Sequence, residues 1–247
     1  MTEPSGFIHQ SVLDEALLRP VRSGNAFEDT VARLLQTIRL GMVLPGDALP
    51  PERDLASHFS VSRDTVREAI RSLADAGFLV SKRGRYGGTF VSDTLPVGTE
   101  LDSAHGDPPS AAEIDDILGL REILEVGAVR AAARKSLSAA ERDALWTRLK
   151  ETAEASVTDY RRLDSRLHLA LGELVGIPSL VSLLADNRTR VNGLLGHIPL
   201  LAPNIEHSNA QHERIVIAIL TGDENRAAAA MLEHLEGSAS LLRGFLS

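Results

Sequence analysis

The chain has 247 residues, a formal net charge of -8 and no cysteine. A chain of this length can hold two domains with adequate cores. The absence of cysteine excludes disulfides and thiolate metal ligands, and no apolar run is long enough to span a membrane. The N-terminus lacks a basic stretch followed by an apolar one, so we expect a cytoplasmic protein without a membrane partner.

The first regular pattern is an amphipathic helix. Residues 1–25 show little regularity and are interpreted as an N-terminal arm. An apolar stripe at helical spacing follows and ends near Gly41, which predicts a first helix. The stripe consists of Val31, Leu34, Leu35 and Ile38.

Residues 45–91 have the pattern of two short helices followed by a β-hairpin. Pro51 suits the first position of a helix, where its missing N–H costs nothing, and Ser62 can cap a second helix. Two strand-like runs, 78–80 and 89–91, flank a basic, glycine-rich tip. An arginine-rich helix can enter the major groove of DNA while such a wing lies close to phosphates, so we predict a winged helix-turn-helix.

The motifs LPPERDLA, VSRDTVREAI, LADAGFL and RGRYGGTFV occur here in close succession. In this order they resemble the winged-helix domain of the GntR family of bacterial transcription regulators, which we assign to residues 26–92. The resemblance implies double-stranded DNA as a partner. The residues to which it assigns DNA contacts are Arg53, Ser62, Arg63, Thr65, Arg67, Arg83, Gly84 and Gly88. Asp64 departs from the small or hydroxyl residue expected at this position. A carboxylate beside DNA phosphates is unfavourable, although its position at the helix N-terminus is favoured by the helix dipole.

The net charge becomes compatible with DNA binding when it is divided along the chain. Residues 26–92 hold nine Lys or Arg and eight Asp or Glu, a net +1, whereas residues 93–247 hold fifteen and twenty-three, a net -8. Arginines concentrated on one helix face matter more for groove binding than the average charge. Because a nearly neutral DNA-binding domain is attached to an acidic domain, we expect weak non-specific affinity for DNA.

The remainder of the chain is predicted to be helical. Residues 93–112 are rich in Pro, Gly, Ser and Asp and are interpreted as a linker. Residues 113–247 have few aromatics and no strand-like alternation, which predicts an all-α bundle of about six helices and a protein that is mainly α. The helices are expected near 113–135, 138–156, 159–175, 178–195, 207–221 and 223–244.

Three helix starts carry capping signals. Ser110 with Glu113 and Ser138 with Glu141 have the spacing of capping boxes. Thr158 is a candidate cap for the helix that follows.

Four candidate metal ligands are distributed along this bundle: Asp164, His168, His212 and His234. Asp164 and His168 are four residues apart and therefore share a helix face. Three imidazoles and a carboxylate would suit zinc, nickel or manganese. Spacing alone favours the alternative that these histidines are ordinary core or surface residues.

The segments LGLREILEVGAVRAAA, DSRLHLALGELVGIP, QHERIVIAILTGD and AAAAMLEHL resemble, in order, the FCD ligand-binding domain of the FadR subfamily. Many FCD domains bind a metal through one Asp and three His, which map onto the four candidate ligands. The resemblance therefore implies a divalent ion, zinc before nickel or manganese, and a small organic acid as effector.

The resemblance also suggests which residues meet the effector. Arg121 occupies a position that often supplies a cationic partner, and a guanidinium can grip a carboxylate in bidentate fashion. An ion pair with Glu125, four residues on, is the alternative for Arg121. Asn187 and Arg190, expected to face the same bundle, are weaker effector-binding candidates.

These patterns predict a ligand-responsive, homodimeric regulator on a palindromic operator, with repression the commoner outcome in the family. The alternative is a metal-dependent enzyme with an appended DNA-binding domain. We do not expect an enzyme, because no general-base motif, nucleophile elbow or phosphate-binding loop is present. A metal-free bundle with a structural or ligand-binding role is the third possibility.

Overall fold

The computed structural model of the protein describes residues 23–39, 43–82, 84, 87–96 and 109–246. The chain divides into two compact units, Met1–Val97 and Gly98–Ser247. Several predicted features lie outside the described residues: the arm up to residue 22, the end of the first helix near Gly41, the wing residue Arg83 and the linker over 97–108.

The first unit is a winged helix-turn-helix, as predicted. After a 3-10 turn at Ser23–Asn25 its elements are α1 (Ala26–Arg39), α2 (Glu52–Phe59), α3 (Arg63–Asp75), β1 (Leu79–Lys82) and β2 (Gly88–Val91). The core lies where α1, α2 and α3 meet, and its largest fully buried side chains are Phe27, Leu34, Leu35, Leu55, Phe59 and Leu73.

The turn between α2 and α3 is defined by two serines. Ser60 ends α2 in the left-handed conformation, with φ 56° and ψ 41°. Ser62 then caps α3, because its Oγ accepts a hydrogen bond from the backbone N–H of Thr65. Pro51 is the N-cap of α2 rather than its first helical residue, so that helix begins one residue later than predicted.

The wing is an antiparallel hairpin in which Leu79 pairs with Val91 and Lys82 with Gly88. Both strands are shifted slightly from their predicted bounds. Ala48 forms a further β-bridge with Phe90, which was not predicted from sequence. The prolines on both sides of this short segment conceal its strand character, since proline cannot donate to a β-ladder.

Over residues 109–246 the second unit has six helices, in agreement with the predicted bundle. They are α4 (Ala111–Ala133), α5 (Ala139–Ala153), α6 (Tyr160–Glu173), α7 (Pro178–Gly196), α8 (Ala202–Leu220) and α9 (Glu224–Leu246). The start of α8 lies five residues before its predicted position. Pro203 is in the first turn, where a missing N–H is tolerated, and so it does not delay the helix. None of the described helices combines the length and apolarity needed to cross a membrane.

Both predicted capping boxes are present. The Ser110 hydroxyl accepts from the backbone N–H of Glu113 while the Glu113 carboxylate accepts from the Ser110 N–H, and Ser138 and Glu141 repeat the arrangement. The prediction for Thr158 is wrong. Asp159 is the N-cap of α6 and makes no side-chain capping bond.

The bundle core brings five helices together. Val129 of α4, Leu145 of α5, Leu167 of α6, Ile215 of α8 and Met231 of α9 belong to one buried apolar cluster. The helix α7 packs against α4 and α6. Polar side chains that project inward from α4, α6, α7, α8 and α9 are therefore buried in a common interior.

Candidate functional site

The N-terminal half of α3 forms an exposed polar face on the first unit. Arg63, Asp64 and Arg67 are exposed, and the Asp64 side chain is 91% accessible. The hydroxyls of Ser62 and Thr65 lie 2.8 Å apart at the start of the helix. Hydrogen-bond donors and acceptors thus cluster where a recognition helix meets base edges and phosphates.

Arg67 is held by two carboxylates. Its Nε and Nη2 lie 3.2 and 3.1 Å from Glu52 Oε2, and its Nη1 lies 2.9 Å from Asp64 Oδ1. The guanidinium is oriented by these contacts and its charge is largely compensated. The role of Glu52 was not predicted, because a contact between α2 and α3 leaves no signal in local spacing.

The other candidate DNA contacts are dispersed. Arg53 is exposed and donates to the neighbouring Asp54 carboxylate at 3.0 Å. Gly84, at the wing tip, has φ 109°, a conformation that favours glycine. Gly88 begins β2, and the Lys82 ammonium lies 4.6 Å from the centroid of the Phe90 ring.

Three buried imidazoles converge inside the second unit. His168 of α6, His212 of α8 and His234 of α9 each offer a nitrogen, and these nitrogens all lie within 4.8 Å of one another. The closest pair is His212 Nε2 and His234 Nε2, at 3.3 Å. Histidines from three separate helices therefore form a single cluster.

Asp164 completes the predicted set of four. Its Oδ1 lies 3.4 Å from His212 Nε2 and 3.7 Å from His168 Nε2. The one-turn spacing of Asp164 and His168 on α6 does place both side chains toward the same interior, as expected for i, i+4 positions.

Partners on the outer side orient two of the imidazoles. Glu125 Oε2 contacts His168 Nδ1, and Gln211 Oε1 lies 3.1 Å from His234 Nδ1. The Nε2 atoms of both rings are thereby turned toward the cluster, and His168 Nε2 is buried without a hydrogen-bond partner. Such outer-shell contacts typically accompany metal-binding histidines.

Burial disfavours the protonated form of His212 and His234. It lowers the pKa of His212 well below the usual value, and the neighbouring His168 lowers it further. Burial, followed by His212, has the same effect on the pKa of His234. Both rings are therefore neutral at pH 7, which is the form that coordinates a cation.

The three predicted effector-binding residues have different surroundings. Arg121 is buried, and its Nε donates to Glu125 Oε1 at 3.1 Å, so the predicted alternative of an ion pair is present. Asn187 is buried and donates to the Ile117 carbonyl at 3.1 Å. The expectation that Arg190 faces the bundle interior is wrong, because it is exposed and pairs with Asp116 at 2.7 Å.

Arg188 is the interior arginine of α7 and was not predicted. Its Nη2 contacts the Asp164 carboxylate, its Nε donates to Ser165 Oγ at 3.2 Å, and its Nη1 lies 3.8 Å from Glu125 Oε1. The sequence could have identified Arg188. Leu184, Arg188 and Val191 have the spacing of residues on one buried face of a helix, whereas Arg190 lies on another face.

Comparison with known families matches both units. Residues 27–91 match the family described as "Bacterial regulatory proteins, gntR family", and residues 116–237 match the family described as "FCD domain". The two matches cover the helix-turn-helix with its wing and the helices that carry the histidine cluster.

Individual relatives extend this similarity to most of the chain. The "HTH-type transcriptional regulator LutR" of Bacillus subtilis is 31% identical over 232 residues, covering 84% of this chain and 97% of the relative. The "HTH-type transcriptional repressor NanR" of Salmonella arizonae is 28% identical, covering 92% and 88%. Among solved structures, Streptococcus agalactiae GntR is 25% identical, covers 86% of this chain and 98% of that one, and has a TM-score of 0.46.

Proposed function

Because the chain belongs to the GntR family of bacterial transcription regulators, we propose that its FCD domain adjusts DNA binding in response to a divalent metal and a small carboxylate effector. The protein is a DNA-binding transcription regulator, and its relatives are regulators rather than enzymes. The metal, the effector, the homodimer and the sign of regulation are parts of the proposal.

The observation that carries the metal proposal is the spacing of the candidate ligand atoms. Two ligands about 2.0–2.1 Å from a tetrahedral ion lie roughly 3.3 Å apart. His212 Nε2 lies 3.3 Å from His234 Nε2 and 3.4 Å from Asp164 Oδ1. Together with His168 these residues would hold one divalent ion. Three imidazoles and one carboxylate favour zinc, with nickel or manganese as alternatives.

A bound ion would supply a Lewis-acidic site for an oxygen ligand. A small carboxylate is the proposed effector because a dication and a buried guanidinium together offset the cost of burying an anion. Arg121 is the candidate guanidinium: it is 3% exposed and lies on the same network as His168 through Glu125. Asn187, which lies in the same interior, is a secondary candidate.

For DNA we propose that Arg63 and Arg67 of α3 enter the major groove, with Ser62 and Thr65 at the adjacent phosphates. Arg53 and the wing residues Arg83, Gly84 and Gly88 would contact the backbone on either side. One recognition helix offers few base contacts, so a homodimer on a palindromic operator is the expected assembly. Similarity to the transcriptional repressor NanR supports repression by this protein. DNA binding supports a cytoplasmic location.

The experiment that tests the metal proposal measures zinc content and melting temperature of the full chain as purified, after chelation, and after zinc is restored. His212→Ala and His234→Ala should lose metal and the metal-dependent rise in melting temperature together. The matched control is His197→Ala, which alters a histidine outside the cluster. Full zinc occupancy in either cluster variant would remove that residue from the ligand set.

The effector is sought by adding small organic acids to the zinc-loaded and chelated protein. A carboxylate that raises the melting temperature only with zinc present, and that changes operator affinity, supports the proposal. Turnover of any such acid would instead favour the metalloenzyme alternative. Binding that is unchanged by chelation would favour the metal-free bundle.

A further inference from the structure

The helix α3 presents Asp64 on the side opposite the core of the first unit. The buried residues that define the inner side of α3 are Val66, Ala69, Ile70, Ser72 and Leu73. With 3.6 residues per turn, Asp64 lies about 160° around the helix axis from Val66. Its side chain is 91% accessible and belongs to the first turn, the part of a recognition helix that reaches base edges. Asp64 therefore occupies a position from which its carboxylate can meet a base pair.

The Asp64 carboxylate is anchored by a chain of side-chain contacts. Glu52 Oε2 accepts from Nε and Nη2 of Arg67 at 3.2 and 3.1 Å. Arg67 Nη1 in turn donates to Asp64 Oδ1 at 2.9 Å. In the described part of the chain, no group donates a hydrogen bond to Asp64 Oδ2. The side chain is thus oriented in advance and keeps one oxygen available, which reduces the entropy lost when that oxygen accepts a hydrogen bond from DNA.

Hydrogen-bond chemistry decides which base suits this carboxylate. An ionised carboxylate has only acceptors. In the major groove guanine presents the acceptors N7 and O6 and thymine presents the acceptor O4, so both bases repel the carboxylate. Adenine presents a donor at N6 beside the acceptor N7, whereas cytosine presents only the donor N4. Cytosine is therefore the base that fits Asp64 best.

We propose that Asp64 reads a cytosine in each half-site of the operator. This inference rests on the proposed entry of α3 into the major groove. A carboxylate near the phosphates weakens binding to every duplex, and a cytosine at the matching position offsets this cost with a hydrogen bond to N4. Asp64 thus raises the ratio of specific to non-specific affinity, which gives the unexpected acid at this position a function.

The substitution Asp64→Asn should change the preferred base. It replaces a group that only accepts by an amide that both donates and accepts, and such an amide pairs with N6 and N7 of adenine. At this one base pair we expect adenine to replace cytosine on the same strand, while the other positions of the operator stay the same. Asp64→Ala removes both kinds of hydrogen bond and should leave no preference at that base pair.

The test selects duplexes from a randomised library with the full chain as wild type, Asp64→Asn and Asp64→Ala. Fluorescence anisotropy then measures the affinity of each protein for the selected operator with each of the four base pairs at the responsive position. Wild type should lose affinity about tenfold when the C·G pair is replaced. Asp64→Asn should bind the operator with A·T at this position about tenfold more tightly than the one with C·G.

Asp75→Asn is the matched control for this switch. It makes the same substitution at another exposed residue on the same side of α3, roughly 16 Å farther along the helix axis. This variant should select the wild-type operator. A switch in Asp75→Asn equal to that in Asp64→Asn would overturn the inference, because the effect would then follow from the loss of any negative charge on α3.

The remaining outcomes separate this inference from the proposed function. If wild type selects an operator in which no base pair responds to either substitution of Asp64, the inference is overturned and DNA binding by α3 stands. A wild-type preference for an A·T pair at the responsive position also overturns it. Should one variant fail to fold, the other still decides, because each must lose the preference for C·G. If wild type enriches no sequence at all, the proposed function fails, and this inference with it.

Discussion

Gly172 of α6 lies against Leu184 of α7 so closely that a Cβ on the glycine would be 2.2 Å from Leu184 Cδ1. This contact joins the helix that carries Asp164 and His168 to the helix that carries Arg188. The absence of a side chain at position 172 therefore permits the close approach on which the buried ion pair depends.

We expect Gly172→Ala to lower the free energy of unfolding by up to about 2 kcal/mol, since overpacking costs about 1–3 kcal/mol and helix propensity returns roughly 1 kcal/mol. Chemical denaturation measures the change. Gly127→Ala on α4 is the control, because a Cβ there meets nothing within 4 Å and should stabilise by about 0.5–1 kcal/mol. If both variants change the free energy of unfolding equally, the Leu184 side chain can move away from position 172 without destabilising the protein.

Ser60 is the one described residue other than glycine with positive φ, at 56°. The left-handed conformation costs roughly 1–2 kcal/mol for a residue with a Cβ, and glycine loses about 0.5–1 kcal/mol in chain entropy on folding. Ser60→Gly should therefore stabilise the first unit by about 0.5–1 kcal/mol, as measured by thermal unfolding. Ser57→Gly, inside α2, should destabilise by a similar amount. A loss of stability in Ser60→Gly would contradict the argument.

Arg63 is exposed at the first turn of α3 and should contribute directly to operator binding. Arg63→Ala should weaken operator affinity by about 1–3 kcal/mol without altering the fold or the oligomeric state. Fluorescence anisotropy on a selected operator, with circular dichroism and sedimentation as controls, provides the measurement. Unchanged affinity in a folded variant would remove Arg63 from the set of DNA contacts.

Asp64 presents an exposed carboxylate beside Arg63 and also binds Arg67 at 2.9 Å. Asp64→Asn should strengthen non-specific DNA binding by about 0.2–1 kcal/mol, because a negative charge near phosphates is removed and Arg67 gains effective charge. Binding to a random duplex at several salt concentrations measures this effect. Asp75→Asn, at the other end of α3, should leave binding unchanged. If both variants bind the random duplex as wild type does, Asp64 does not face the phosphates.

Glu141 gives the capping box of α5 a pH dependence. Hydrogen bonds from the Ser138 backbone N–H and hydroxyl, and then from Lys135, lower the pKa of Glu141 to about 2. A lowered pKa in the folded state means that the stabilisation is complete above about 4.5 and is lost as the pH falls toward about 2. Glu141→Gln keeps a hydrogen-bonding side chain but does not titrate, so its melting temperature should fall less steeply between pH 5 and 3.

The partner variant Ser138→Ala provides the control for this pH dependence. It removes the hydroxyl of the box, and so the effect of Glu141→Gln on the melting temperature in acid should be smaller when Ser138→Ala is also present. Parallel melting curves for wild type and Glu141→Gln across this range would show that the box carries no proton linkage.

Local signals predicted much of the helical framework. Two capping boxes placed the starts of α4 and α5 within about two residues, because caps and periodicity reside in contiguous residues. Thr158 shows the limit of the same approach, because Thr158 and Asp159 are both residue types that cap helices and only the folded backbone placed the helix start after Asp159. The β-bridge of Ala48 was missed for a further reason, since its partner Phe90 lies 42 residues along the chain.

The sequence by itself determined the two units, their helices and the shared face of Asp164 and His168, since these follow from spacing along one chain segment. Only the tertiary structure decided that His212 and His234 join that face, that Asp164 is the partner of Arg188, and that Glu52 holds Arg67. Each of these depends on how separate helices pack and rotate against one another. Packing angles and helix rotation arise from the whole buried surface, and no local motif encodes them.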